Sequence, residues 1–588
     1  MYFNTVVPFL LIGSSIAYKL PHSGTLGRPP KHRPNFIIIM TDDQDLHLNS
    51  LDYQPAVQKY FAKEGTFYQK HYVTMAQCCP SRVSFMTGMA GHNTNVTDVL
   101  PPYGGYPKFV AEGFNDNYLP VWLQQAGYNT YYTGKFLNSH DVTNWNKPFP
   151  NGWTGSDFLL DPGTYRYYNA TLQRNKEPPK TFPGEYNTDL ISNRAVGFLE
   201  DAAAADAPFF IGVMPIGPHT ETLVPENPGP NDLPIFLPPI PAERHKDLYH
   251  GVKIPRTDNF NPEKPSGGSY VKQLPRQNDT VVEYNDEFYR LRLASLAAVD
   301  DLITAVFDKL EELDLLDDTY VIYTSDNGFH MGQHRQDPGK SCAYEEDVNV
   351  PMFIRGPDVP KGKNITLPTT HTDIVPTLFK LAGIPQLKQF DGTPMPISVQ
   401  DQAKAKTEHV NIELWGANIG EGEMRIPVPT LLNTYKALRI VAEEYEFTYI
   451  VWCTNEHELY DMKKDPGQMN NLWDAVGPAP NGTITSNSTI ELEGSSETAC
   501  GFSLSKLQPR LDALLMVLKS CKGSVCVKPW ETLHPLGNVK SLKDAMDPDL
   551  DEFYASQPKI SFSECAMGYF PWVEGPQRAI PFIPRGMT

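Results

Sequence analysis

Beyond its first two dozen residues the chain has no apolar run approaching the roughly 20 residues a helix needs to cross a bilayer. A membrane-spanning role is therefore not expected of the mature protein. It has no Cys-x-x-Cys pair, which argues against a thiolate zinc site. It has no basic excess: Lys+Arg number 50 against Asp+Glu 69, a formal charge of −19. That balance excludes a nucleic-acid coat, which needs a basic face. It leaves room for a small anionic substrate, because a pocket can be locally positive on an acidic protein. No internal repeat and no extended charge run is present.

What is there is a long, core-forming chain. Its 588 residues suggest two to four domains at roughly 100–200 residues each. Hydrophobic residues at 40% and aromatics at 11% exclude a disordered chain, and 54 prolines point to long ordered loops. An apolar run from Val6 to Gly13, followed by Ser15-Ile16-Ala17, reads as a secretory signal over residues 1–17 without a basic start. It predicts a secreted, extracellular or periplasmic (cell-wall) protein. The sequons at Asn169, Asn278, Asn364, Asn481 and Asn487 agree with export, while a sixth, at Asn95, lies too near the Cys78 motif to be counted. Of eight cysteines, five follow residue 450, and an oxidising compartment would pair most of them. Cys521 and Cys526 could close a small loop, and the full connectivity is open.

Continuous apolar runs at 35–41 and 319–325 fit strands buried on both faces of a parallel sheet, with further strands at 209–214 and 352–355. Before the second run, Leu296, Val299, Ile303, Val306, Leu310 and Leu313 recur at helical spacing. Such alternation predicts an α/β fold with ligands at the carboxyl ends of strands. Residues 221–280 read as a long excursion over that face. After residue 400 the pattern changes: paired antiparallel strands at 435–442 and 446–453 and a helix at 506–520 predict a smaller α+β unit. The expected division is 18–400 and 401–588, with a Ser/Thr-rich surface loop at 483–498.

Both long apolar runs end in oxygen donors, Asp42-Asp43 and Asp326-Asn327-Gly328. Three carboxylates and an amide suit Ca²⁺ or Mg²⁺ rather than zinc, and such crowding needs a cation. Cys78-Cys79-Pro80-Ser81-Arg82 through Thr87-Gly88 reads as a short helix, with Cys78 just before its N-terminus, Ser81 satisfying free backbone groups and Gly88 ending it. By composition alone Cys78 is either reactive or buried. His330 and His334 read as structural or rim residues.

This stretch resembles the signature of the formylglycine-dependent sulfatases, Cys-x-Pro-Ser-Arg followed by Thr-Gly, in the alkaline-phosphatase-like superfamily. Gly134-Lys135, Gly217-Pro218-His219, Gly339-Lys340 and Glu458-Leu459-Tyr460-Asp461 with Asp465-Pro466 match the family's other motifs in order. The resemblance covers about residues 34 to 472 and is greatest to the arylsulfatase and N-acetylglucosamine-6-sulfatase branch. It implies a large alkaline-phosphatase-like domain, with a mixed, mostly parallel sheet between helices, and a smaller carboxyl-terminal domain. It implies that Cys78 becomes formylglycine through a formylglycine-generating enzyme, and that Asp42, Asp43, Asp326 and Asn327, with the modified Cys78, hold one divalent cation, Ca²⁺ before Mg²⁺. Arg82, Lys135, His219 and Lys340 would then act on a small sulfated substrate. One position departs: the histidine many members carry two residues after the first lysine is Leu137 here, with Asn138 as the polar neighbour. The expected activity is sulfate monoester hydrolysis. The alternative is phosphonate monoester or phosphodiester hydrolysis on the same fold.

Overall fold

The computed structural model describes residues 33–223, 234–418, 420–424, 431–473 and 498–584. The 1–17 segment, Asn481, Asn487 and nearly all of the 483–498 stretch lie outside the described residues. Ten strands form the main sheet: β1 Asn35–Thr41, β2 Thr66–Tyr68, β3 Asn129–Lys135, β4 Gly155–Leu159, β5 Tyr168–Arg174, β6 Lys180–Tyr186, β7 Phe209–Met214, β8 Thr319–Ser325, β9 Met352–Arg355 and β10 Lys363–Ile365. Their order in space is β10-β2-β9-β8-β1-β7-β3-β4-β5-β6. The central five, β8-β1-β7-β3-β4, run parallel. The pairings β8–β9, β9–β2, β4–β5 and β5–β6 are antiparallel.

Strand alternation divides the core into two layers. The long helices are α1 Cys78–Thr87, α2 Asn187–Ala203, α3 Asp279–Glu312, α4 Ile374–Ala382 and α5 Leu504–Leu518. Phe36, Ile38 and Met40 of β1 pack with α1 and α4 on one face, and Ile37 and Ile39 pack with α2 and α3 on the other. Both faces need apolar cover, which is why β1 and β8 read as unbroken apolar runs. The predicted stripe Leu296, Val299, Ile303, Val306 and Leu310 of α3 is buried against the sheet, with Leu313 packed at its end. Asn278 caps α3, its side chain accepting from the Val281 amide at 3.0 Å.

A second, antiparallel sheet follows in the order β11-β12-β13-β14, comprising β11 His409–Leu414, β12 Tyr435–Val441, β13 Glu446–Trp452 and β14 His457–Asp461. Its two faces also divide. Leu438, Ile440, Phe447 and Tyr449 pack under α5, whereas Ala437, Ile450, Trp452 and Tyr460 pack on Tyr72, Tyr344 and Val348 from the first part of the chain. The second sheet therefore shares a core with the loop after β8. Where described, the 221–280 excursion wedges between the two: Asn259 donates to Glu346 at 2.7 Å, and the Ser269 hydroxyl donates to the Leu432 carbonyl at 3.1 Å. It buttresses the loop after β8.

Four cysteines are paired, Cys453–Cys565 and the predicted Cys521–Cys526. The expectation that most would pair is corrected to half: Cys78, Cys79, Cys342 and Cys500 are free, and the first three are buried in separate surroundings. Asn169, Asn278 and Asn364 are exposed, Asn364 on the edge strand β10.

The second sheet is tied to the helical layer by a buried charge network. Glu413 of β11 meets Lys436 of β12 at 2.8 Å and His92, just beyond α1, at 2.9 Å. Burial acts to raise the Glu413 carboxyl, but His92 and Lys436 outweigh it and hold the group well below its ordinary 4.5. Removing one partner of a buried ion group strands the others, at a cost of about 3–5 kcal/mol. Glu413→Ala is expected to lower Tm accordingly. A depressed carboxylate stabilises fully above its unfolded value and loses that contribution as the pH falls toward the folded one. The Tm gap between wild type and variant should thus narrow below pH 4.5 in scanning calorimetry.

Candidate active site

Four parallel strands deliver the site. Thr41 pairs in register with Ser325, so Asp42-Asp43 after β1 and Asp326-Asn327 after β8 land side by side, all fully buried. Asp43 has φ 64°, a left-handed conformation that costs a non-glycine residue roughly 1–2 kcal/mol. Two contacts hold it there: the Asp43 amide donates to Asp326 Oδ1 at 3.1 Å, and the Arg292 guanidinium donates to the Asp43 carbonyl. Strand β3 ends in Gly134-Lys135. A Cβ on Gly134 would meet the Met214 carbonyl oxygen of β7 at 2.0 Å, so only glycine lets the strands approach and Lys135 turn inward. The loop after β7 brings His219, and the loop after β8 brings Lys340.

Helix α1 places the cysteine. Gln77 is its N-cap and Cys78 its first residue, so the helix begins one position earlier than expected, and Gly88 ends it at φ 69°. The Cys78 thiol lies 3.7 Å from Asp42 Oδ1 and 3.9 Å from Asp43 Oδ1. Ser81 does not play the expected capping part: its hydroxyl is buried without a hydrogen-bond partner among the described residues. Arg82, one turn on, donates through Nε to Asp326 Oδ2 and through Nη1 to the Lys135 carbonyl, both at 2.8 Å.

Three cations answer three carboxylates. Lys135 Nζ lies 2.6 Å from Asp42 Oδ2, and Lys340 Nζ lies 2.6 Å from Asp43 Oδ2. Burial works to raise the Asp43 carboxyl, but Lys340, His219 and Lys135 overcome it and hold the group well below the ordinary range. Asp42 goes the other way: burial, then the neighbouring Asp326, push it to about 7 despite Lys135 and Arg82. Burial likewise lowers His219 to about 4, against the pull of Asp43. For a divalent cation the donor set fits. Asn327 donates to Asp43 Oδ1 at 2.7 Å, while its own Oδ1 is buried with no partner among the described residues. An orphaned carbonyl beside three carboxylates is hard-oxygen capacity that the lysines leave unused.

All nine predicted residues, Asp42, Asp43, Cys78, Arg82, Lys135, His219, Asp326, Asn327 and Lys340, converge here. His330 and His334 do not. His330 pairs with Asp347 at 2.8 Å and His334 stacks on Tyr344, so both are buried structural groups and neither lies at a rim. Glu458 of the carboxyl-terminal motif also lies apart, accepting from Tyr344 at 3.2 Å and from Trp452.

The comparisons with known proteins coincide with this geometry. The family model "Sulfatase" matches residues 34–384, more than half of the chain. The chain belongs to the sulfatase family. A second model, "N-sulphoglucosamine sulphohydrolase, C-terminal", matches residues 333–481. This sulfatase is 38% identical to an arylsulfatase of Volvox carteri over 91% of its own length and 82% of that protein's. It is 36% identical to an arylsulfatase of Chlamydomonas reinhardtii, covering 92% of this chain and 82% of that one. Among solved structures, an enzyme in complex with its substrate D-glucosamine-2-N,6-O-disulfate superimposes with a TM-score of 0.58 at 22% identity, over 75% of this chain and 93% of that chain, a likeness of fold. With relatives of this similarity and these motifs, the protein is a hydrolase of sulfate esters.

Several neighbours of the site carry no motif. Leu137, at the position that departs from the family pattern, is core. Asn138 donates to the Tyr165 hydroxyl at 2.7 Å, and the Tyr165 ring stacks on His219 at 4.2 Å and lies 4.7 Å from Lys135 Nζ. Tyr165 has no sequence signal. Arg292 had one: it stands four residues before Leu296, a charge on the apolar stripe of α3. We expect Tyr165→Phe, which keeps the ring, to hold kcat/KM within about threefold, and Tyr165→Leu to lower it about tenfold. Steady-state assay of the two variants on one aryl sulfate checks this.

Proposed function

We propose that Cys78 is oxidised to formylglycine and that this residue is the nucleophile of sulfate ester hydrolysis. The supporting observation is the state of the thiol. Burial, only partly offset by Lys135 and Lys340, raises it well above its ordinary value, and it faces two carboxylates. A thiolate is disfavoured there, whereas a hydrated aldehyde supplies two hydroxyls, one to take the sulfate and one whose deprotonation expels it. Asp42, Asp43, Asp326 and Asn327 would hold a divalent cation, Ca²⁺ before Mg²⁺, which when bound polarises sulfate oxygens and lowers the pKa of the attacking hydroxyl.

The remaining residues position and neutralise. Lys135 and Lys340 bind sulfate oxygens, where losing one such donor costs about 10²–10³ in rate. Arg82 locks Asp326 and the Lys135 backbone in place. His219 Nδ1 lies 2.9 Å from the Thr220 carbonyl and its Nε2 3.6 Å from Asp43 Oδ2, which turns the ring toward the carboxylate cluster. That leaves Lys340 to neutralise charge on the leaving oxygen.

In this reading the protein passes through the secretory pathway, is glycosylated at the exposed Asn169, Asn278 and Asn364, and meets a formylglycine-generating enzyme before folding closes over Cys78. Its units divide near residue 400, between the last strand of the main sheet and β11. Aryl sulfates are the proposed test substrates, in line with the relatives' names.

Three experiments decide. In a tryptic digest of the native protein, the peptide 71–82 should carry the aldehyde mass, and an unmodified thiol in active protein would sink the proposal. Cys78→Ser should be inactive or stop after one sulfuryl transfer, read as a stoichiometric burst. Wild type should hydrolyse 4-nitrophenyl sulfate far faster than a 4-nitrophenyl phosphodiester, lose activity to a chelator and regain it with Ca²⁺ or Mg²⁺. The reverse preference would select phosphodiester chemistry.

A further inference from the structure

Solvent exposure rises across the site in one direction. Asp42, Asp43, Arg82, Asp326 and Asn327 are 0% exposed, Cys78 2%, His219 3%, Glu421 5% and Lys340 9%. Lys340 and Glu421 are the least buried of these groups, and on that ground the opening for the alcohol part of a bound ester is assigned to their side. Glu421 stands at that opening. One of its oxygens is 3.0 Å from Lys340 Nζ, and the other accepts from the Thr220 hydroxyl at 3.0 Å. Its backbone is pinned as well, the Glu421 amide donating to the Pro338 carbonyl at 2.6 Å and the Glu423 amide to the Tyr284 hydroxyl at 2.8 Å.

We propose that Glu421 restricts this sulfatase to singly charged sulfate esters by opposing any second negative charge on the substrate next to the ester. The inference rests on the sulfatase reading above and names its substrate class. With Glu421 counted and every carboxylate ionised, as a bound divalent cation requires of its ligands, four carboxylates (Asp42, Asp43, Asp326, Glu421) face three cations (Arg82, Lys135, Lys340), an excess of one negative charge. A divalent cation turns that into one positive charge, which one sulfate monoester anion cancels. A carboxylate or second sulfate on the alcohol part then meets Glu421 with nothing left to neutralise it. The chain's formal charge of −19 works in the same direction at long range. Lys340 is already shared between Asp43 and Glu421, so it cannot be diverted to a second anion without uncovering one of them.

The test compares 4-nitrophenyl sulfate with its 3-carboxylate derivative, two esters differing by one charge. Wild type should favour the uncharged ring by about tenfold in kcat/KM, carried by KM. In Glu421→Gln, which keeps an oxygen for Lys340 and Thr220, that preference should fall to about twofold or less. A purely structural Glu421 would weaken both substrates alike and leave their ratio unchanged. Binding is read separately on Cys78→Ala, which cannot turn over. Calorimetric Kd values for the two esters should show the same preference, and Cys78→Ala with Glu421→Gln should lose it, even if Glu421→Gln alone is inactive. Equal kcat/KM in wild type, or a ratio untouched by Glu421→Gln, overturns the proposal. Failure of matured wild type on both esters would instead count against sulfate ester hydrolysis, with the binding ratio still deciding the role of Glu421.

Discussion

Three carboxylates buried side by side are the constraint that the rest of this structure answers. Desolvation and mutual repulsion make such a group untenable alone. Every neighbouring element contributes a counter-charge or a donor: Arg82 from α1, Lys135 from β3, Lys340 from the loop after β8, and Arg292 from α3 through the Asp43 carbonyl. Asp42, still held near 7 after these contributions, marks where compensation by protein groups stops. The same cluster explains why a parallel sheet is the scaffold. Adjacent parallel strands end on one edge, so two short acidic segments distant in sequence can be apposed by register alone.

The second sheet serves that centre indirectly. Its inner face packs on Tyr344 and Val348, within the loop that carries Lys340, and its outer face is closed by α5. The excursion fills the gap between loop and sheet. Lys340 is thus set by a wall of packing around a loop that would otherwise be long and loosely held, and Glu421 comes from the same later part of the chain. Position at one end of the site and charge at its opening both depend on residues after 400.

Sequence legibility follows the physics of each element. Strands β1, β7, β8 and β9 were legible to the residue because burial on both faces leaves an unbroken apolar run with sharp polar ends. The nine site residues were legible because family motifs preserve the spacing between strand end and side chain. Tyr165 and Glu421 were not, since each acts across a loop from a position whose local pattern is ordinary. The helix start at Cys78 and the silence of Ser81 show the limit at short range: Gln77 has the extended backbone of an N-cap, and only tertiary packing selects it over its neighbour. Cysteine pairing was half legible, because a five-residue spacing lets Cys521 and Cys526 close a small loop while the Cys453–Cys565 link spans 112 residues.

The burial of Cys78 also sets a clock. Its helix is made 262 residues before Lys340, the last of its charged partners, an interval of roughly 15–50 s at ordinary synthesis rates of about 5–20 residues per second. During that time the Cys78 segment exists without the loop after β8 and without the second sheet that braces it. Once those arrive, the side chain is closed off at 2% exposure. A protein that acts on Cys78 as proposed must do so before that closure, so its efficiency is set against the rate of folding, and a faster-folding variant of this sequence would be modified less completely.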